Sequence, residues 1–586
     1  MSVVSYSFFA FLAIAVLLYY VVPKKLQWVV LLGASIYFYA IAGVQFLAVV
    51  LLTAVVVYFL AMLMQKNLDK QAQMVQGMDR KAARAVKNDM KAKRKKILVL
   101  ALVIVIGVLF VFKASGFCIT NINRLLGMAS MAEIPDWNLI APLGISFYSF
   151  MMISYLMDVY NGKAKAQKNF LKYLTYVLYF PHVTQGPIAK YDEVAPQIFS
   201  EHRFSYDTVT QGLWLMMWGY FKKLVIADRL SSFVTAVFNH SGDYQGTIFI
   251  FAGVMYSIQI YCDFSGCMDI VRGASECFDI RLGENFERPY FSQTLPEFWR
   301  RWHISLGAFF REYVFYPVST SKLFLKLNTF GRKYLGNDWG RNVASCLPIL
   351  CVWFLTGFWH GANWNYIFWG LFHGVLICLS TMFEQPIEHL TVKLNIKRDC
   401  ISWSIFRMLR TFFLCVIGRI IFMGHGVRAA ARMLYSSVAH ADVFYNVETI
   451  GLTHNEWLIV IAGCIVLLLV SVAQEMRMQA GNNETIRQWL ARQNRWLRWV
   501  VLLGGMLAIL VYALICVVGF YMGFSLEPHQ EAYETALETQ FVPAAEQAAQ
   551  NAADRTAFDA LRRQCENAFM QEDGAALLAQ YRAEQT

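Results

Sequence analysis

Two histidines stand where residue type and spacing suit proton transfer. His303 lies in EFWRRWHISLGAFFREYVFYPVS (297–319), directly after Arg300, Arg301 and Trp302 and before an apolar run. His360 lies between Trp359 and Gly361 in WHGANW (359–364), at the end of a long apolar run. An apolar, water-poor setting keeps an imidazole neutral, and a neutral imidazole can take the proton of a hydroxyl. The competing reading, a structural histidine satisfied by a carbonyl, is the commoner role for the residue type alone. His373, thirteen residues on inside an apolar helical pattern, fits packing better. Arg300 and Arg301 precede His303 by three and two positions, so a helix puts at least one on its side. That cluster suits either the phosphates of a nucleotide-containing donor or lipid headgroups. Asn363 and Asp263, the latter in YCDFSGCMDI, add polar candidates within apolar surroundings.

The elements that must carry these residues are membrane helices. The 586-residue chain is 57% hydrophobic and 16% charged, with a mean hydropathy of +0.41. Soluble domains carry about 25% charged residues, so that class is excluded. Apolar runs near spanning length recur from 4–22 to 499–522. They predict an all-α polytopic protein of about eleven to twelve transmembrane or re-entrant helices. Segments 169–189 and 285–318 are candidates to enter and leave on one side. Twelve scattered cysteines without a C-x-x-C pair predict neither disulfides nor a metal site. The net charge of +12 collects in loops beside apolar runs, which fits cytoplasmic loops against membrane lipid rather than nucleic acid. Loop 66–96 alone holds 11 Lys/Arg against 3 Asp.

With Lys24, Lys25 and loop 66–96 inside, the N-terminus falls outside the cytoplasm of a cell membrane. The arginine-rich 477–498 is inside too, which sends the C-terminus outside. The chain divides into a membrane domain, 1–524, with its chemistry-bearing motifs in 139–385, and an acidic tail, 525–586. That tail carries 11 acids, 4 arginines and no lysine, and its helix formers predict two or three soluble helices. No P-loop, G-x-S-x-G or H-E-x-x-H occurs, which removes support for ATPase, serine hydrolase and zinc protease readings.

Four segments in one order carry a resemblance. PLGISFYSFMMISYLMDVYNGK, FPHVTQGPIAKYDEVAPQ, YCDFSGCMDIVRGASECFDIRLGENFERPYFSQTLPEFWRRWHISL and FLTGFWHGANWNYIFWGLFHG are similar to the membrane-bound O-acyltransferase family. The bacterial polysaccharide branch, with alginate O-acetyltransferases and teichoic-acid D-alanylation transferases, is the nearest. The resemblance implies a through-membrane funnel or tunnel, and transfer of an acyl group, acetyl above all, from a cytoplasmic thioester to an extracytoplasmic hydroxyl. It places the family's near-invariant histidine on His360, as general base, and a second polar position on His303. Arg300, Arg301, Asn363, Trp359 and Asp263 become funnel-lining or substrate-binding candidates. No bound cofactor is implied; the donor is acetyl-CoA or an acyl carrier protein. The acceptor is a polysaccharide or teichoic acid, and a secreted second acyltransferase is an implied partner.

Two departures bear on the acceptor. The family's S-L-S-x-W-L-R-D-Y reads SLGAFFREY here, with Glu312 for aspartate, and PVSTSKL replaces P-L-G-G-N-R. D-alanyl transfer to teichoic acid therefore stays open within the enzyme class. A polysaccharide or lipid transporter stays open outside it, because spans and buried charges alone would fit one.

Overall fold

The computed structural model describes residues 2–137, 139–482 and 484–507, with residue 449 described by its backbone alone. The expected tail, its boundary at 524, and most of the last apolar run lie outside the described residues. Within them the secondary structure is helical apart from one isolated antiparallel bridge, Phe286 with Trp302.

The chain opens with α1 (Tyr6–Val21), α2 (Gln27–Ala42), α3 (Val44–Val75), α4 (Arg80–Met128) and α5 (Ile145–Asn161). Local chemistry sets their ends. Ser5 caps α1, Asp79 accepts from the Ala82 amide at 2.8 Å to start α4, and Gly43 turns the chain at a φ of +142°. Loop 66–96 is helical: α3 runs into it, α4 begins in it, and only 76–79 turn.

Contacts place several connections at this basic end. Arg94 Nε donates to the Tyr160 carbonyl at 3.0 Å, the Ala166 amide to Gln65 Oε1 at 3.1 Å, and Lys172 Nζ lies 5.6 Å from the Trp28 ring centroid. From there α6 (Phe170–Leu178) and α7 (Phe180–Val183) dip inward until Phe180 packs on Phe8, Phe11 and Phe38. At Gly144, φ +68°, a Cβ would lie 2.1 Å from the Val183 carbonyl oxygen. The chain then returns through α8 (Tyr191–Ile198), and Gln167 Nε2 donates to Tyr191 Oη at 2.9 Å, so 169–189 folds back on itself as a hairpin.

Next come α9 (Tyr206–Tyr220), a π-helical turn (Phe221–Ala227), α10 (Asp228–Asn239) and α11 (Ile248–Glu276). The hairpin closes on glycines: a Cβ on Gly273 would meet the Gly212 carbonyl at 2.4 Å, and one on Gly266 the Gly219 carbonyl at 2.8 Å. The π turn inserts a residue, so adjacent lysines both reach acids: Lys222–Asp269 at 2.8 Å, Lys223–Asp263 at 2.6 Å.

The second half contains α12 (Leu295–Arg301), α13 (Ile304–Phe310), a π turn (Arg311–Phe315), α14 (Tyr316–Ser319), α15 (Lys322–Leu335), α16 (Asn337–His360), α17 (Trp364–Lys393), α18 (Ile401–Met423), α19 (Val427–Ala439), α20 (His454–Gln479) and α21 (Ile486–Ala491). Among the described residues, seven helices are long and apolar enough to cross a membrane: Lys24–Ala42, α3, α4, α11, α16, α17 and α20. The other expected runs are shorter, as α1 and α5 are, interrupted, as 206–239 is, or arginine-bearing, as α18 is with Arg407, Arg410 and Arg419.

Candidate functional site

The segments holding the two histidines are built differently. α12 ends at Arg301, and His303 stands in the left-handed region at φ +48° before α13 begins. His303 therefore does not share a helix with Arg300 and Arg301, as the spacing had suggested. A non-glycine residue held there is strained, and its neighbours must over-determine it. The turn at 301–305 lies against 285–288: the Ile304 amide donates to the Asn285 carbonyl at 3.0 Å and the Glu287 amide to the Arg301 carbonyl at 2.9 Å. The Asn285 side-chain oxygen accepts from the Ser305 amide at 2.9 Å and lies 3.3 Å from His303 Nδ1. His303 Nε2, on the other edge of the ring, is buried with no partner among the described residues.

His360 closes α16. Gly361 has extended backbone there, and a Cβ on it would lie 2.5 Å from the Tyr366 ring, so the small residue lets the chain turn tightly into α17. Gly357 and Gly370 bring α16 and α17 together, each with a would-be Cβ 2.3 Å from a carbonyl of the other helix. Trp359, Trp369 and Phe422 surround the imidazole with centroids at 4.6, 5.0 and 5.4 Å. Yet His360 keeps exposed surface. Its rings on several sides and its open surface fit a side chain on the wall of a cavity.

Both histidines line one cavity of about 430 Å³, with Trp299, Arg300, Trp302, Arg311, Trp353 and Thr356 among its walls. The Trp359 ring adjoins both imidazoles, 6.1 Å from His303 and 4.6 Å from His360. Arg300 and Arg311 are exposed, and neither has an ion pair among the described residues. A second cavity of about 510 Å³ is lined by Asn285, Phe286 and Arg288, so the two bridged segments face different spaces.

The remaining candidates go elsewhere. Arg301 is taken up by Glu297 at 2.9 Å and Glu475 at 3.2 Å. Asp263 pairs with Lys223, which also holds Asp228 at 2.7 Å. Asn363 caps α17, accepting from the Asn365 amide at 3.4 Å. These three serve architecture in this arrangement.

Sequence reasoning passed over several neighbours. Lys113 donates to the Trp359 carbonyl and to Ser146 Oγ, both at 3.2 Å. The Arg419 guanidinium lies 4.6 Å from the Trp302 ring centroid, and its Nε and Nη2 are buried with no acceptor among the described residues. Asn285 anchors the His303 turn, while His373, read from sequence as a packing residue, does pack on Trp299, Trp353 and Trp369. A cation ending or interrupting an apolar run was the available signal for Lys113 and Arg419. Asn285 carried none, because its partner lies across a turn.

Such a cavity, walled by aromatics, can hold a hydroxyl and an activated acyl group beside an imidazole. A model of the MBOAT, membrane-bound O-acyltransferase family, matches residues 36–332. The chain is 31% identical to the probable alginate O-acetylase AlgI of Pseudomonas syringae pv. tomato over 434 residues, 74% of each chain. It is 27% identical to the peptidoglycan O-acetyltransferase of Helicobacter pylori, covering 73% of this chain and 78% of that one. It is also 27% identical to the teichoic acid D-alanyltransferase of Bacillus subtilis, over 43% of this chain and 62% of that one.

Proposed function

The chain belongs to the membrane-bound O-acyltransferase family, and from that premise we propose that it moves an acetyl group from a cytoplasmic thioester to a hydroxyl of a cell-envelope polysaccharide, or of a partner that passes the group on. The observation that carries this reading is the convergence of His303 and His360, from separate motifs, on one cavity. His360 acts as the general base. The acceptor oxygen attacks the thioester carbonyl carbon while its proton moves to the imidazole; the C–S bond then breaks and the thiolate takes that proton. A thioester is already activated, so orientation and proton removal suffice. His303, held from its Nδ1 edge, turns Nε2 to the acceptor and orients it.

Acetyl-CoA or a carrier-protein thioester is the donor, entering from the basic end. That end faces the cytoplasm of a multi-pass cell-membrane protein, with the N-terminus on the far side. The relatives that carry this choice of acceptor are those named for alginate and peptidoglycan acetylation, each covering about three quarters of the chain.

The test compares cells making wild type or His360→Ala at matched membrane levels. Their envelope polysaccharide is treated with mild base and the released acid identified. Acetate from wild type and none from the variant supports the reading. D-alanine moves the chain to teichoic-acid chemistry, and equal ester in both strains rules out His360 as the base.

A further inference from the structure

The cavity that holds His303 and His360 also carries two arginines without a counter-ion. Arg300 and Arg311 line it, and neither has an ion pair or a hydrogen bond among the described residues. The acids beside them in sequence are engaged elsewhere: Glu297 with Arg301 at 2.9 Å, and Glu312 with Lys190 at 2.7 Å. Among the described residues, no aspartate or glutamate lines this cavity. His303, on the same wall, is 4% exposed, and its Nε2 has no partner among the described residues. The lining therefore offers two free guanidinium groups and a buried imidazole edge, a set suited to an anion with something attached.

Both arginines are anchored at the basic end of the molecule. After Arg311, Tyr313 donates to Asp158 at 2.9 Å, two residues before Tyr160, whose carbonyl Arg94 holds. After Arg300, Arg301 pairs at 3.2 Å with Glu475, just before the arginine-rich 477–498. The His360 turn is tied to the opposite end: Trp364 Nε1 donates to Asn121 at 3.0 Å, and Asn121 lies about 40 Å beyond Arg94 along α4. Arg311 stands about 12 Å along the chain of α13 from His303. Gly307 and Ala308 line the cavity between those two residues and leave room for a slender chain. Arg311 also opens a π turn, a distortion that recurs at functional sites.

We propose that Arg300 and Arg311 clamp the phosphodiester of a phosphopantetheine thioester, so that its acyl end lies between His303 and His360. The inference rests on the acyl-transfer reading above and adds to it the part of the donor that the protein grips. Phosphopantetheine is what coenzyme A and an acyl carrier protein share: a phosphate, a slender amide arm and a terminal sulfur. A guanidinium fork matches two phosphate oxygens, and two forks from separate elements fix the position of the group as well as its charge. Both are positioning residues, because they hold the donor at the end remote from its reacting carbonyl. A lipid headgroup carries the same anion, but its acyl tails belong in the bilayer, whereas the space behind these arginines leads to two imidazoles.

The test uses the full chain in phosphatidylcholine nanodiscs, with 4′-phosphopantetheine and pantetheine as probes and binding read by equilibrium dialysis. Wild type is expected to prefer the phosphorylated probe by about tenfold or more. Arg300→Met and Arg311→Met should each lower phosphopantetheine affinity about tenfold and leave pantetheine affinity unchanged. Arg300→Lys and Arg311→Lys, which keep the charge without the fork, should recover part of the loss. No phosphate preference in wild type, or one that survives both Met variants, overturns the proposal. Equal loss of both probes does so too, since that marks a merely structural arginine. Phosphatidylglycerol in the discs is the lipid arm: if it removes the preference, headgroups occupy the arginines and the proposal falls. Ester formation from acetyl-CoA and from an acetylated carrier protein identifies the source of the phosphate. KM should rise in the Met variants, with kcat kept, for the donor that is used; an unchanged KM for both overturns the clamp. Because binding is read without transfer, wild type that keeps the phosphate preference but forms no acetyl ester counts against the acetyl-transfer reading and not against the clamp.

Discussion

Asn285 holds His303 in its left-handed turn: one side-chain oxygen accepts from the Ser305 amide at 2.9 Å and stands 3.3 Å from His303 Nδ1. Asn285 is 1% exposed. Asn285→Ala leaves the Ser305 amide without its acceptor, at a cost of about 1–3 kcal/mol. The expected result is a lower melting temperature in detergent and loss of transfer activity larger than the change in stability would explain. Asn285→Asp keeps the acceptor and should restore the turn, which activity and melting measured together would check.

Gly418 makes room for His373. A Cβ there would sit 2.4 Å from His373 Nε2 and 3.5 Å from Trp369 Nε1. Gly418→Ala should therefore destabilise the protein by about 1–3 kcal/mol, the usual cost of overpacking. Combining it with His373→Ala should recover part of that loss, because the two sites share one space. A double-mutant cycle on melting temperature measures the coupling; strict additivity would place the strain elsewhere.

Glu475, from α20, neutralises two arginines, Arg288 at 2.7 Å and Arg301 at 3.2 Å. It is 6% exposed. Glu475→Gln leaves both guanidinium groups without their shared carboxylate, and breaking such a buried set costs about 3–5 kcal/mol. The amount of folded protein recovered from membranes should fall sharply. Replacing Arg288 and Arg301 with Met in the Glu475→Gln background should restore a part of it.

Gly273 lies against the Gly212 carbonyl, where a Cβ would come within 2.4 Å of oxygen. Gly273→Val must push α9 and α11 apart along their whole contact. Overpacking of about 1–3 kcal/mol or more is expected, seen as a lower melting temperature. The Lys222–Asp269 pair depends on the same crossing, so Gly273→Val should also sensitise Lys222→Met to temperature.

That His360 and His303 line one cavity could be anticipated because each sits in a short, ordered motif within apolar sequence that resembles the family's. The all-helical, membrane-embedded class followed from hydropathy: lipid leaves the backbone no partner but its own. The breaks in the helices near 180–196 were legible from proline and glycine punctuation. What the sequence could not separate was which polar candidates meet. Arg301 and Asp263 look like Arg300 on paper, yet Glu475 and Lys223 claim them. Those partners come from α20 and from a π turn whose extra residue shifts the facing of every side chain after it. Asn285, Lys113 and Arg419 come from three other segments to contact Ser305, Trp359 and Trp302 beside the two histidines. Hydropathy and motif are local, so one chain segment suffices to express them. Pairing of charges and convergence on a cavity depend on distances between segments, and only packing of the helices sets those.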